Sequence, residues 1–205
     1  MQKELNKDYF LWKRFKGGDN IAFYQLYDEH VDSLFRFGIQ FSKDENFVKD
    51  CIHDLFLDLY DRKNRLGDTD SIKFYLFRSL RRKIYKQQSK SSFHSLEMDE
   101  ESDLINQTPA FEETLINSEI QKENINLLIR AVNQLTSQQQ RALFLKFEQN
   151  LTYSEIAEIL GISIESARTN IYRSLKTLRE KISETKISIN LLYLFFSKSN
   201  FDFRF

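Results

Sequence analysis

Side chains that can hydrogen-bond to DNA are concentrated in the segment that follows Gly161. On a helical wheel this segment gathers its polar and basic residues on one side: Glu165, Thr169, Tyr172, Arg173 and Lys176. Short donors and acceptors near the start of such a helix, together with Arg168, are suited to base edges in a major groove. Arg173 and Lys176 lie further along and are better suited to phosphates. The pattern predicts a surface that reads duplex DNA.

Two helices joined by a minimal turn are needed to present this surface. Thr152 and Glu155 form the pattern of a capping box for the first helix, and Gly161 is suited to the left-handed conformation that ends it. Ser163 can cap the second helix. The inward-facing residues of that helix recur at helical spacing: Ala167, Ile171, Leu175, Leu178 and Ile182. Residues 151–178 therefore match a helix-turn-helix, with an ordinary helical hairpin as the alternative.

A second candidate surface lies in residues 71–90, which contain no acidic residue between Lys73 and Lys90. Helical spacing turns Leu76, Phe77, Leu80 and Ile84 toward a core. It gathers basic and aromatic residues on another side: Phe74, Tyr75, Arg78, Arg81, Arg82, Tyr85 and Lys86. Such a face can follow phosphates and stack unpaired bases. The alternative is a solvated basic face whose aromatic edges pack against neighbouring residues.

Two further amphipathic helices are predicted before this segment. The first runs from Ile21 to about Ser42, and its inward-facing residues are Phe23, Leu26, Tyr27, Leu34, Phe37 and Phe41. The second covers about 45–60, with a broad apolar face and an acidic side formed by Asp50, Asp54, Asp58 and Asp61. Leu57 is stranded among these acids. Single exposed leucines are common, so ordinary exposure and a docking face both remain open.

Composition favours helices throughout the chain. The 205 residues include five glycines and one proline, so sharp turns are scarce and a sandwich or barrel is disfavoured. The only proline, Pro109, lies in an acidic stretch with little helical periodicity, which predicts a mobile linker. We therefore predict an all-α protein of two small helical domains joined by a flexible linker, the C-terminal domain containing the helix-turn-helix.

The sequence contains no recognisable site for covalent chemistry. Cys51 is the only cysteine, so no intrachain disulfide can form, and His30, His53 and His94 lack metal-ligand spacing. There is no glycine-rich phosphate loop and no nucleophile in a recognisable setting. We therefore predict a protein that is not an enzyme and that uses no cofactor or small-molecule substrate.

Neither a signal peptide nor a membrane anchor is predicted. The first residues lack an apolar core of signal-peptide length, and the apolar run from Leu191 to Phe196 is too short to span a bilayer. A cytoplasmic location without membrane insertion is expected. Beyond Ile182 the chain is rich in apolar and aromatic residues, and we predict that this tail packs on the body of the chain or on a partner.

These segments, in this order, resemble bacterial RNA polymerase sigma factors of the extracytoplasmic-function (ECF) type. The resemblance rests on DCIHDLFLDLYDRKNRL and FYLFRSLRRKIYK in the first half, and on LTSQQQRALFLKFEQNLTYSEIAEILGISIESARTNIYRSLKTLRE in the second. It implies sigma region 2 over 1–90, a flexible acidic linker over 91–118 and sigma region 4 over 119–185. Residues 186–205 form an apolar C-terminal extension without a known role.

The resemblance also implies a function for each surface. A docking face would bind core RNA polymerase: Asp50, Asp54, Leu57, Asp58 and Asp61. A downstream-element surface would bind and melt the minus-ten element of a promoter: Tyr75, Arg78, Arg81, Arg82 and Lys86. An upstream-element surface would read the minus-thirty-five element as duplex: Glu165, Ser166, Arg168, Thr169, Tyr172, Arg173 and Lys176. Arg81 and Arg82 stand where the family usually has an Arg-Asn pair, which leaves the downstream base preference open.

The implied partners are core RNA polymerase, promoter DNA and an anti-sigma factor that holds the protein inactive. The main alternative is a stand-alone helix-turn-helix regulator that dimerises on a palindrome. That alternative has no need for the basic face between Arg78 and Lys86, whereas a sigma factor would act as a monomer that requires polymerase. A protein-interaction adaptor without a DNA function would leave both basic faces unexplained.

Overall fold

The computed structural model describes the backbone of residues 2–92 and 129–183, and the side chains of 7–90 and 129–181. All regular structure in these ranges is helical, which confirms the prediction of an all-α protein. The chain separates into two compact units, one up to Met98 and one from Asp99 onward. The predicted extension 186–205 and all but the first two residues of the predicted linker 91–118 lie outside the described residues.

The first unit is a bundle of α-helices around one apolar core. Its helices are α1 (Gln2–Lys16), α2 (Asn20–Gly38), α3 (Glu45–Asp61) and α4 (Ile72–Ser92), with a 3₁₀ turn at Lys63–Arg65. The largest fully buried side chains here include Trp12, Phe15, Phe37 and Phe77. Burial of one large apolar side chain typically stabilises a fold by about 1.5–3 kcal/mol. These aromatic rings therefore contribute a large part of the packing between α1, α2 and α4.

Helix α1 was not predicted from the sequence. It buries Leu11, Trp12 and Phe15 in the core of the first unit, although most of its other side chains are polar or charged. The helix is followed by Gly18, whose φ of +90° is a conformation that other residues rarely adopt. Three buried apolar residues within five positions are a short signal, which explains why periodicity alone missed the helix.

Helix α2 begins as predicted but ends earlier. Asp19 caps its start, because the carboxylate accepts hydrogen bonds from the backbone N–H of Ile21 at 2.8 Å and of Ala22 at 3.2 Å. The helix ends at Gly38 and not near Ser42. A Cβ atom at Gly38 would lie 2.5 Å from Val48 Cγ1 of α3, so the absence of a side chain permits close approach of the two helices.

For one residue of α2, the prediction from helical spacing was wrong. Tyr27 was predicted to face the core, but 42% of its surface is exposed. The edge of its ring still packs on Phe56 of α3, with 4.9 Å between the ring centroids. Phe41, predicted as the last inward residue of α2, lies beyond the helix and packs on Phe37 with 4.9 Å between centroids. Phe41 is half-buried, so the turn after α2 packs against the edge of the core.

Helices α3 and α4 agree with the sequence prediction. Asp44 caps α3 by accepting a hydrogen bond from the N–H of Phe47 at 3.0 Å. The broad apolar face of α3 is buried: Val48, Cys51, Ile52, Leu55, Phe56 and Leu59. The four core residues predicted for α4 are buried as well: Leu76, Phe77, Leu80 and Ile84. The opposite faces of both helices do not pack in this core and can therefore contact partners.

The second unit contains the predicted helix-turn-helix. A helical turn at 129–133 precedes α5 (Ser137–Leu143), a π-helical turn (Phe144–Glu148), α6 (Tyr153–Leu160) and α7 (Ile164–Ser183). Between the π-helical turn and α6, Asn150 adopts a left-handed conformation with φ of +59°, and the chain changes direction there. The π turn and the left-handed Asn150 were not predicted. Ile125 and Leu128, which were predicted to belong to this unit, lie outside the described residues.

None of the helices in the described ranges combines the length and the apolar character needed to span a bilayer.

Candidate functional site

The turn between α6 and α7 is built by the predicted capping residues. Thr152 and Glu155 form a reciprocal capping box, in which the Thr152 N–H donates to Glu155 Oε2 at 2.8 Å and the Glu155 N–H donates to Thr152 Oγ1 at 3.3 Å. Gly161 ends α6 in the left-handed conformation with φ of 62°. Ser163 then accepts a hydrogen bond from the Ser166 N–H at 3.0 Å, which caps the start of α7. These local contacts fix the direction in which α7 leaves the turn.

The inward side of α7 fixes how the helix is rotated. Ala167, Ile171 and Leu178 are buried as predicted, and Leu175 is half-buried. The side chain of Ile182, the fifth predicted inward residue, lies outside the described residues. Ser174 is also buried, which spacing did not predict, and its hydroxyl donates to the Asn170 carbonyl oxygen at 2.6 Å. A buried hydroxyl needs such a partner, and here the carbonyl one turn earlier in α7 supplies it, so Ser174 can face the core without an unsatisfied polar group. The burial of Ala167, Ile171 and Leu178 sets the rotation of α7.

The structure brings every predicted residue of the upstream-element surface onto the exposed side of α7: Glu165, Ser166, Arg168, Thr169, Tyr172, Arg173 and Lys176. Tyr172 is the most notable, because 69% of its surface is exposed although its ring is largely apolar. Exposed residues of this kind near the start of the second helix are those that reach base edges in a helix-turn-helix.

Arg168 lies beside two groups that sequence reasoning did not connect with it. Its guanidinium carbon lies 5.7 Å from the centre of the Tyr153 ring, and its Nη1 lies 3.5 Å from Glu165 Oε1. Lys146 contacts the same Tyr153 ring at 4.8 Å and donates to the Leu151 carbonyl oxygen at 3.1 Å. Tyr153 begins α6 and Lys146 lies in the π turn. Their proximity to Arg168 depends on the fold, so no local pattern reveals it.

The docking face is exposed, but part of it is already paired within the chain. Leu57 is 48% exposed and Asp50, Asp58 and Asp61 are exposed, whereas Asp54 is half-buried. Lys83 of α4 lies under these acids: its Nζ is 2.7 Å from Asp58 Oδ2 and 3.9 Å from Asp54 Oδ2. The hydrogen bond from Lys83 holds the pKa of Asp58 below its usual value. Asp58 therefore carries negative charge at neutral pH while Lys83 holds it in place.

The same network extends to the cysteine. Gln87 of α4 donates from Nε2 to Asp54 Oδ2 at 2.9 Å, and the Cys51 thiol donates to Gln87 Oε1 at 2.7 Å. Burial raises the pKa of Cys51 to about 11, so the group is a thiol and not a nucleophilic thiolate at neutral pH. Cys51 thus acts as a hydrogen-bond donor between α3 and α4.

The downstream-element surface shows the predicted alternation of basic and aromatic groups. The Arg78 guanidinium carbon lies 5.8 Å from the Phe74 ring centre, and that of Arg81 lies 4.7 Å from the Tyr85 ring centre. Tyr75, Arg78 and Arg81 are half-buried. Arg82, Tyr85 and Lys86 are exposed. The surface is therefore most accessible toward the C-terminal part of α4, and its other aromatic rings pack against neighbouring residues.

An exposed apolar ridge next to the docking face was not predicted. Ile21 and Tyr24 of α2 are each 71% exposed, and Tyr60 of α3 is also exposed. The Tyr60 hydroxyl donates to Asn20 Oδ1 at 3.3 Å, which links the two helices at this point. The sequence alone does not indicate the ridge, because single exposed apolar residues are common on helices.

In the described residues, no group of three or more His, Cys, Asp and Glu side chains is arranged to hold a metal ion.

Comparison with known sequences finds similarity across both units. Residues 125–178, which include the helix-turn-helix, match the protein family described as Sigma-70, region 4. Over 164 residues the chain is 24% identical to the ECF RNA polymerase sigma factor SigX of Bacillus subtilis (strain 168). This alignment covers 78% of the chain and 82% of SigX.

Two solved structures have a similar fold. One is the sigma factor RpoE in complex with the anti-sigma factor NepR from Bartonella quintana, with a TM-score of 0.55, 22% identity, and coverage of 80% of this chain and 98% of that one. The other is CnrH in complex with the cytosolic domain of CnrY, with a TM-score of 0.54, 16% identity, and coverage of 87% and 98%.

Proposed function

We propose that this chain, which belongs to the ECF type of RNA polymerase sigma factors, binds core RNA polymerase in the cytoplasm and directs initiation at specific promoters. The observation that carries the proposal is the geometry of α7. Seven predicted DNA-contacting side chains are exposed on one side of this helix, and a capping box, a left-handed glycine and the buried inward residues of α7 fix its orientation.

The upstream element is read by α7. Arg168, Thr169 and Tyr172 lie within the first turns of the helix and are exposed, so they can reach base edges in the major groove. Arg173 and Lys176 lie further along and fit the phosphates on either side of the groove. Tyr153 adds a ring next to Arg168, and Lys146 adds a positive charge on the same ring. We propose that both contribute to the same contact with DNA.

Core polymerase is bound through the docking face of α3. Leu57 supplies an exposed apolar side chain within a ring of carboxylates, and such a combination suits a partner with an apolar pocket bordered by basic groups. The ridge formed by Ile21, Tyr24 and Tyr60 borders this face and enlarges the apolar area available to the partner. Lys83 holds Asp58 and Asp54 in place from below.

The downstream element is opened by α4. Tyr85 is exposed for stacking on an unpaired base, and Arg82 and Lys86 are exposed for contact with phosphates. Each DNA-binding surface contains only a few basic residues, so each one alone should bind weakly and with a strong dependence on salt. Attachment of both surfaces to polymerase raises the effective concentration of each at the promoter.

We also propose that an anti-sigma factor regulates the chain. The similar structure of RpoE was determined with the anti-sigma factor NepR. The exposed docking face and its apolar ridge form the surface that such a partner would cover here. An anti-sigma factor bound at this place would exclude polymerase.

The proposal is tested by mixing the purified chain with core RNA polymerase and measuring both association and protection of promoter DNA. A one-to-one complex that protects two separate promoter segments, neither of which the free chain protects, supports a sigma factor. A dimer that protects a palindrome without polymerase would instead establish a stand-alone regulator.

A further inference from the structure

Two polar contacts join α1 to the connection between α3 and α4, residues 62–71, which we call the α3–α4 loop, and a third joins α1 to the start of α4. Trp12 Nε1 donates to the Gly67 carbonyl oxygen at 2.9 Å, and Lys16 Nζ lies 2.5 Å from Asp68 Oδ1. Asp8 Oδ2 accepts a hydrogen bond at 3.3 Å from the N–H of Ile72, the first residue of α4. The partners are 52 to 64 residues apart in sequence, so these contacts belong to the folded unit and not to local structure.

Trp12 is the central residue of this junction. Only 1% of its surface is exposed, and its ring lies 5.2 Å from the Tyr75 ring and 5.7 Å from the Phe15 ring, between centroids. A buried indole N–H needs an acceptor, and the Gly67 carbonyl supplies it. One side chain therefore fixes both the backbone of the α3–α4 loop and the ring of Tyr75.

We propose that Trp12 is a positioning residue for the downstream-element surface, holding the α3–α4 loop and the Tyr75 ring in the arrangement that captures unpaired bases. This inference rests on the function proposed for α4. Arg62 and Arg65 are exposed in the same loop, so fixing the loop also fixes positive charge at the entrance to α4. A surface that is ordered before binding loses less conformational entropy when it binds the separated strand.

A positioning role for Trp12 and ordinary core packing by Trp12 affect different properties of the protein. Loss of core packing lowers the stability of the first unit and with it every function of that unit. Loss of positioning slows promoter opening, while association with core polymerase through α3 and duplex recognition through α7 stay unchanged. Opening rate at equal core occupancy therefore separates the two roles.

The matched variants come from α1 itself. Trp12→Phe keeps an aromatic ring and removes the N–H donor to Gly67. Lys16→Gln removes the ion pair to the α3–α4 loop, and Lys7→Gln removes the ion pair of similar geometry from α1 to Glu29 of α2, at 3.0 Å. Lys7→Gln is thus the control for the loss of one charged contact of α1.

The experiment uses holoenzyme assembled from each full-length variant and core polymerase, on a promoter fragment that the wild-type holoenzyme transcribes. Permanganate reactivity of thymines in the downstream element gives the rate of opening, and titration of core gives occupancy. We expect opening to be about three- to tenfold slower for Trp12→Phe, the range that corresponds to one lost hydrogen bond. Lys16→Gln should slow opening about twofold, and Lys7→Gln should match wild type.

Equal opening rates for all three variants and wild type, at equal core occupancy, overturn the positioning role and leave the proposed function intact. If Trp12→Phe does not fold, the comparison of Lys16→Gln with Lys7→Gln decides, and equal rates for that pair overturn the proposal. A wild-type protein that binds core but opens no promoter overturns the proposed function, and the positioning role with it.

Discussion

Lys83 of α4 donates a hydrogen bond of 2.7 Å to Asp58 of α3. Asp58 belongs to the docking face, and α4 carries the downstream-element surface. The Lys83 side chain is only 18% exposed, so its position is set by packing between the two helices. The helix proposed to bind polymerase and the helix proposed to bind unpaired DNA are thereby joined through a fixed polar contact.

Replacement of Lys83 by Met should lower the free energy of unfolding by about 1 kcal/mol, since Asp58 is largely exposed and solvent screens the pair. Urea denaturation measures the change. Because the pKa of Asp58 is lowered in the folded protein, this stabilisation is present above the usual carboxyl pKa and is lost as the pH falls through the folded-state value. The difference between wild type and Lys83→Met should therefore shrink in acid.

Lys49→Met is the control for this substitution. It breaks the exposed Lys49–Glu45 pair, 3.0 Å long, which lies within α3, and it also removes the Lys49 ammonium from the Phe35 ring of α2, whose centre is 5.4 Å away. A pair of that kind contributes about 0.3–0.5 kcal/mol. Equal effects of the two substitutions would show that Lys83 does not join α3 to α4 with measurable strength.

Leu57→Asp should weaken binding to core polymerase by about tenfold or more, because it places a charge where an apolar contact is proposed. Stability should change little, since the side chain is 48% exposed. The dissociation constant for core measures the effect. Phe10→Asp, at a residue that is 57% exposed and outside all proposed surfaces, is the control. Unchanged core affinity for Leu57→Asp would move the docking site away from this part of α3.

Arg168→Ala should reduce affinity for the upstream element by about 1–3 kcal/mol if the guanidinium contacts a base. Binding of holoenzyme to duplexes with single base changes measures both the size and the specificity of the loss. Core affinity should be unchanged. Arg179→Ala, an exposed arginine of α7 outside the upstream-element surface, is the control. A uniform loss across all duplexes would identify Arg168 as a phosphate contact.

His30 should make stability depend on pH between about 4 and 6.5. Burial lowers its pKa from 6.5 to about 4, because the neutral ring is favoured in the core. The stabilisation is present above the unfolded-state pKa and is lost as the pH falls through the folded-state value, by up to about 3 kcal/mol. Denaturation of wild type and His30→Leu across this range measures it. If the stability of the two proteins fell in parallel with pH, burial of His30 would not be the cause of the pH dependence.

The helix-turn-helix could be predicted from sequence because its boundaries are set by neighbouring residues. Thr152, Glu155, Gly161 and Ser163 act over three or four positions, and all four occupy the predicted roles in the structure. The buried faces of α3 and α4 were likewise predicted from the helical spacing of their apolar residues. Hydrogen bonds between residues within one helical turn can therefore be predicted from a single sequence.

Contacts between distant segments could not be predicted in this way. The pairing of Lys83 with Asp58, and of Trp12 with Gly67, depends on how helices cross, and helix crossing is determined by packing over the whole unit. The close approach of α2 and α3 at Gly38 has the same origin, since Val48 of α3 leaves no room for a side chain there. Lys146 and Arg168 meet at the Tyr153 ring because the π turn, Asn150 and the turn before α7 bring three separate segments together.

In-vitro transcription with purified full-length protein, core RNA polymerase and genomic DNA fragments tests the central claim most directly. We predict transcripts with defined start sites on a small set of fragments, dependent on both core and this protein, and lost when Leu57→Asp is combined with Arg168→Ala. Absence of any start site that depends on this protein, in a reaction where core is active with another sigma factor, would contradict its assignment as an initiation factor.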